Sequence, residues 1–230
     1  MTRLIALRLD GAMQAWGGPV AGDDRPTMDT PTKSGVIGLI GGALGIERSD
    51  VRRLRGLHDS LGFVVRVDRA GVSVVDFQTI ENVPTAGGKL RDVPVISRRG
   101  YLCDAAFTVL LVERQGITTA LDVIVGALRF PRYLPYLGRR ACVPSVPVLL
   151  HPGIYDGESW QAILNSIPPA EPRAGVRERC DVLADADLVS VAGPVIERHV
   201  RDVTAGTAPR FFDERVVRRI VCDTTEGWGV

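Results

Sequence analysis

Residues 105–112, AAFTVLLV, are apolar or nearly so at every position over the length of one strand. A strand that alternates polar and apolar residues leaves one face in water, whereas a continuous apolar run has to be covered on both. The chain therefore needs a layered arrangement with this segment near the centre of a sheet. Its neighbours supply the rest. Residues 3–9, RLIALRL, read as a strand with Ile5, Leu7 and Leu9 on one face and Arg8 on the other. Ser49 and Asp50 cap a helix in which Val51, Leu54, Leu57 and Leu61 share a side. FVVRVDR, 63–69, alternates as a strand, and VSVVDFQT, 72–79, repeats the pattern after Ala70-Gly71, which predicts a hairpin between the two. The chain then turns polar from 80 to 97, with Pro84, Gly87-Gly88 and Pro94, as in an excursion away from a sheet. Thr118 opens a helix with Leu121, Ile124, Val125 and Leu128 on one side, and Pro131 ends it. Strand, helix, two strands, strand, helix is the order of a ferredoxin-like α+β unit, a scaffold shared by many RNA-binding domains. From about Val146 onward the β-like runs are short, and their topology does not follow from the pattern.

Composition narrows the function. At 230 residues, 45% hydrophobic and 24% charged, the chain has the make-up of a globular protein of one large domain or two small ones. There is no 18-residue apolar run to span a membrane, and charges interrupt the N-terminal apolar stretch, which argues against a secretory signal. Cys103, Cys142, Cys180 and Cys222 form no C-x-x-C and have no histidine cluster nearby. They read as reduced thiols of a cytoplasmic protein, and no disulfide, metal or cofactor is expected. The net charge of +1 speaks against a uniformly basic surface. Yet arginine outnumbers lysine 26 to 2, with pairs at 52-53, 98-99, 139-140 and 218-219. Arginine's planar fork fits phosphate oxygens and stacks on bases. A GC-rich genome explains such a bias equally well, so each arginine needs its own argument.

The stretch TPTKSGVIGLIGGALG, 30–45, invites a nucleotide-binding reading, but a P-loop places its glycines before the lysine and here the order is reversed. Gly88-Lys89 fails too, with Val83 at the first glycine position and Leu90 after the lysine. What remains is Pro31-Thr32-Lys33-Ser34 opening a helix whose free N–H groups and lysine suit an anion. Gly35, Gly38, Gly42 and Gly45 would line one face for close packing. Ser97–Ala105, SRRGYLCDA, joins two arginines and Tyr101 to a buried strand, offering a phosphate clamp with a stacking plane or, equally, a hairpin base held by an Asp104–Arg salt bridge. Tyr133–Arg140, YLPYLGRR, puts aromatics, paired arginines and Gly138 in one loop, where Gly138 is able to expose N–H groups to a phosphate. The RNP1 pattern is absent, so base stacking on an open sheet is not expected. Of the three histidines, His58 reads as a helix-surface residue, and neither His151 nor His199 belongs to a recognisable catalytic constellation.

Five segments in order, LRLDGAMQAWG, RPTMDTPTKSGVIGLIGGALGI, DFQT, SRRGYLCDAAFTVLL and LPYLGRRACVPSVPV, resemble the CasD-type family of RAMP-superfamily subunits of type I-E CRISPR Cascade complexes. The resemblance covers most of residues 4–148. It implies a ferredoxin-like, RRM-like RAMP palm (1–79 and 104–148), a protruding β-hairpin thumb (80–103) and a β-rich C-terminal extension (149–230) packed on the palm. It also implies a non-catalytic cytoplasmic protein, without cofactor or membrane contact, that caps the 5′ handle of the guide RNA (crRNA). Its expected protein partners are the backbone-forming and large subunits. Carried over by motif, Lys33 and Ser34 would face RNA at the mouth of the glycine helix, Arg98, Arg99 and Tyr101 at the thumb base, and Arg139 and Arg140 in the loop after the second palm helix. Trp16 and Arg25 are weaker candidates, and Trp16 fits a core plug as well. The rival expectation is a metal-independent endoribonuclease using Tyr101, Lys33 and His151.

Overall fold

The computed structural model describes residues 1–18, 24–85, 87–114, 121–170, 179–189, 196–204, 212–223 and 227–229. Its elements begin β1 (Thr2–Asp10), β2 (Met13–Gln14), β3 (Trp16–Gly17), β4 (Thr27–Met28), α1 (Lys33–Ala43), α2 (Val51–Ser60), β5 (Leu61–Arg69), β6 (Val72–Ile80), β7 (Val95–Cys103) and β8 (Ala106–Glu113). They continue α3 (Leu121–Arg129), β9 (Leu149–Gly157), α4 (Trp160–Ser166), β10 (Arg179–Asp185), β11 (Ile196–Thr204), β12 (Phe212–Asp223) and β13 (Gly227–Gly229). A large antiparallel sheet runs β11-β12-β10-β5-β8-β1-β9, with β13 also paired to β12.

The apolar run forms β8, between β5 and β1, and both of its faces are covered. On one side Ile5, Leu7 and Leu9 of β1 join Phe63, Val65 and Val67 of β5 and Phe107, Val109 and Leu111 of β8 beneath α1 and α3. On the other, Leu4, Ala6, Val64, Leu110 and Val112 pack on Trp160, Ile163 and Leu164 of α4. Arg8 and Arg66 also lie on this second face and are buried. Asp68 joins them: it accepts from Arg8, from Arg66 Nε at 2.6 Å, from Thr108 Oγ1 at 2.7 Å and from Ala170 N at 3.1 Å. Arg66 Nη1 also donates to the Leu164 and Ile167 carbonyls, each at 2.9 Å. The central strands β1, β5 and β8 thus present no open face to bases.

Local signals set the helix ends. Thr32 caps α1, its Oγ1 accepting from Gly35 N at 3.3 Å, and Gly45 turns the chain out with φ of 70°. Asp50 caps α2 by accepting from Arg53 N at 3.1 Å. The expected glycine stripe is not one packed face. A Cβ on Gly35 would lie 3.1 Å from the Trp16 ring, but Gly38 and Gly42 face no described atom within 4 Å. Close packing falls instead on Gly41, whose Cβ would sit 2.7 Å from Leu54.

The hairpin expected between 63–69 and 72–79 does not form. β5 pairs with β8 and β10, while β6 pairs with β7 from Val72 opposite Cys103 to Ile80 opposite Val95. Alternation specifies a strand but not its partner. Gly71, at φ of 70° and with the Cys103 carbonyl 2.5 Å from where a Cβ would be, swings the chain out of the large sheet. The polar stretch from 80 onward is the distal part of this β6–β7 hairpin, closed by Thr85 N donating to the Lys89 carbonyl at 2.7 Å. Thr118 lies outside the described residues. The C-terminal third is interleaved with the rest: β9 flanks β1 at one edge, and β10 continues the sheet beyond β5 at the other.

Candidate nucleic-acid interface

Four of the nominated residues converge at the base of the β6–β7 hairpin. Arg25 N donates to the Arg98 carbonyl at 2.8 Å, and the Arg25 carbonyl accepts from Gly100 N at 2.9 Å. Arg25 and Arg99 form a β-bridge. Arg139 reaches the same junction from the other side, donating Nη1 to the Gly100 carbonyl at 3.0 Å and Nη2 to the Arg25 carbonyl at 2.8 Å. Its guanidinium lies 4.5 Å from the centroid of the Tyr101 ring. Gly138 permits this reach: its φ is 88°, and a Cβ would fall 1.6 Å from the Ala15 carbonyl oxygen. Ala15 N donates to the Leu137 carbonyl at 3.0 Å, which locks the loop in place.

Arg98 points outward, its side chain 62% exposed, 6.0 Å from the centroid of the exposed Phe77 ring that faces it across the hairpin. The carboxylate of Asp24 is 4.0 Å away, an exposed pair of small energetic weight. Arg140 is exposed next to the clamp. Arg99 Nε is buried without a hydrogen-bond partner among the described residues. The junction therefore gathers cations and an aromatic plane on a main chain fixed by hydrogen bonds, suited to holding a phosphodiester chain.

The other nominations need correcting. Tyr101 is buried in the core under Arg139, so it presents no stacking face to RNA. Trp16 is fully buried, with Nε1 donating to Gln14 Oε1 at 3.0 Å, and acts as the core plug. Gly138 N donates to the Tyr136 carbonyl at 3.0 Å and is not offered to a phosphate. Lys33 is 1% exposed, with Nζ 3.0 Å from Asp185 Oδ2, while its backbone N donates to Asp202 Oδ2 at 2.7 Å. Ser34 is half-buried in the same first turn. The helix start does attract an anion, but the anion is the chain's own carboxylate, delivered by strands from the C-terminal third.

Asp185 also accepts from Phe63 N at 3.1 Å, Arg114 Nη2 at 3.0 Å and Arg215 Nη1 at 2.5 Å, and Arg215 Nε donates to Asp202 at 2.7 Å. Burial lowers the Lys33 pKa, against the opposing pull of Asp185. His58, expected on the surface, is 5% exposed beside this network. Burial first and Lys33 second push its pKa down to about 4. Its Nδ1 lies 3.4 Å from Asp59 Oδ1. His151 is exposed on β9, and His199 is exposed 3.6 Å from Glu214.

Sequence reading missed Phe77, although it lies in the DFQT motif. Drawing β6 against β7 instead of β5 would have set it opposite Arg98. The hairpin's exposed Val74, Val75 and Ile96, and the basic Lys89 and Arg91 toward its tip, were missed for the same reason.

An α/β protein with a large antiparallel sheet, four described α-helices and an exposed basic hairpin base has counterparts of known kind. The CRISPR-associated protein (Cas_Cas5) model matches residues 4–219, and the chain belongs to that family. Over 224 residues it is 36% identical to the CRISPR system Cascade subunit CasD of Escherichia coli (strain K12), covering 94% of each protein. Among solved structures, a chain of a CRISPR RNA-guided surveillance complex matches with a TM-score of 0.77 at 30% identity, covering 96% of this chain and 90% of that one. A crystal structure of a Cas protein matches with a TM-score of 0.67 at 32% identity over 98% of both. The resemblance carried by the five ordered motifs is borne out.

Proposed function

We propose that this chain is a non-catalytic, cytoplasmic crRNA-binding subunit of a type I-E CRISPR surveillance complex. In this reading it caps the 5′ handle of the guide and abuts both the end of the backbone filament and the large subunit. The observation that carries it is the convergence of Arg25, Arg98, Arg99 and Arg139 at the base of an exposed hairpin. The kinship with CasD, named as a Cascade subunit, supports the assembly. The strand order β9-β1-β8-β5, with α1 and α3 on one face, supports a ferredoxin-like palm, and the β6–β7 hairpin supports a thumb. Near-neutral charge fits a subunit that needs one basic groove and not a basic exterior. A nuclease built on Tyr101, Lys33 and His151 would have to present all three to substrate, and Tyr101 and Lys33 are each buried against another partner.

The test is co-expression with a repeat-spacer array and the other subunits, followed by RNA extraction and 5′-end mapping. Wild-type complex should retain uncut handle, whereas Arg98→Ala/Arg99→Ala/Arg140→Ala should lose the RNA or drop out of the complex. Trimming of repeat RNA by this chain alone, without metal, would overturn the assignment.

A further inference from the structure

Three residues beyond Arg25 the chain reaches a cavity. β4 carries it there: Thr27 N lies 3.0 Å from where a Gly100 Cβ would be, and Met28 pairs with Trp16. At about 3.3 Å per extended residue, Met28 sits roughly 10 Å from the hairpin base. Residues 28–32 line a cavity of about 330 Å³ on the α1 side of the sheet, together with side chains of β5, β10, β11 and β12. Its apolar part is made by Met28, Phe63, Val65, Leu183 and Val217. The charged or titratable residues of the described lining are Asp29, Arg198, His199, Asp202 and Arg215. Three of these are turned to other groups. Arg215 Nε donates to Asp202 at 2.7 Å, Asp202 also accepts from Lys33 N, and His199 lies 3.6 Å from Glu214. Asp29 and Arg198 meet each other at 3.7 Å with side chains 69% and 50% exposed, a pair of small energetic weight that a ligand can displace.

Small-ligand sites measure roughly 300–1,000 Å³ and combine apolar walls with a few convergent polar groups, so this cavity has room for one small planar group and not for a helix or a duplex. An unpaired nucleobase has that form, with apolar faces and hydrogen-bonding edges, and proteins that read RNA take such bases out of the strand and bond their Watson–Crick edges. Phosphate contacts at the hairpin base would fix the strand's register within a few nucleotides of the cavity. The edge groups then select. A carboxylate only accepts, so Asp29 calls for an exocyclic amine, which adenine, cytosine and guanine carry and uracil lacks. The Arg198 guanidinium only donates, and beside each of those amines the base edge offers an acceptor.

We propose that this cavity receives one unpaired, amino-bearing base of the RNA strand held at the hairpin base, with Asp29 accepting from its amine and Arg198 donating to the acceptor beside it. The inference rests on the crRNA reading above and adds to it a site of base readout. The test co-expresses the other subunits and an array randomised in the handle with wild type, with Asp29→Asn, and with Val200→Phe, which puts a larger side chain into the lining. RNA retained in each purified complex is sequenced, and thermal melting checks the fold of each variant. Wild type should favour amino-bearing bases over uracil at one handle position by roughly five-fold or more, and both variants should flatten that preference. Any selection made by the other subunits is common to all three complexes and cancels. Should Val200→Phe fail to fold, Asp29→Asn decides alone. A wild-type profile that persists in the variants overturns the proposal. So does a preference for uracil, a profile flat at every position, or a loss of RNA in the variants that is blind to handle sequence. Full retention of guide by Arg98→Ala/Arg99→Ala/Arg140→Ala would instead overturn the handle reading, which keeps the two failures distinct.

Discussion

Asp68 shows how much one side chain holds. It answers two buried guanidiniums, a threonine hydroxyl and a backbone N–H on the α4 side of the sheet. Removing it leaves Arg8 and Arg66 charged and uncompensated away from water. Asp68→Ala should therefore destabilise by about 3–5 kcal/mol in urea unfolding. Arg139 works by geometry more than by charge, with two carbonyls and the Tyr101 face each meeting a different part of its fork. Arg139→Ala should cost roughly 1–3 kcal/mol, and Arg139→Lys should recover little of it, because an ammonium cannot span both carbonyls and stack. A thermal melt of the two variants side by side checks this. Gly138 was legible in the sequence as a residue with a special role. That the role is contact with the Ala15 backbone and not with phosphate depends on a chain segment more than 120 positions away.

Between elements, the clearest coupling ties the start of α1 to β10, β11 and β12 through Lys33, Asp185, Asp202 and Arg215. The sequence displayed the demand, a capped helix opening with a lysine, but not the supply. Asp185 and Asp202 sit in short runs whose topology no pattern fixed. Periodicity likewise gave β1, β5, β6 and β8 as strands, with β8 in the interior, because it reports which faces are buried. It could not assign β6 to β7, since that choice is made by Gly71 and by pairing across a distant turn. His58 provides a pH test of this coupling. Its folded pKa of about 4 lies below the ordinary 6.5, so neutral His58 contributes stability that is complete above pH 6.5. As pH falls toward 4 the unfolded chain takes up a proton that the folded chain refuses, costing up to about 1.4 kcal/mol per pH unit across that window. His58→Gln should flatten the slope of unfolding free energy between pH 6.5 and 4 relative to wild type, with the carboxylates common to both proteins cancelling. Parallel slopes would mean that His58 titrates normally.

For the molecule as a whole, both faces of the central strands are covered, by α1 and α3 on one side and α4 on the other. The proposed RNA contact is therefore assigned to the hairpin and its base. Each arginine removed there should weaken binding of a single-stranded handle and lower the slope of log affinity against log salt by about 0.7, with little change in sequence preference. The most direct measurement is ultraviolet cross-linking of guide RNA in the assembled complex, with the cross-linked peptides of this chain mapped by mass spectrometry. The account predicts cross-links at Phe77 and in the segments around 25, 98–100 and 139–140. Cross-links confined to other segments of this chain, or none to this chain while the complex holds its RNA, would contradict it.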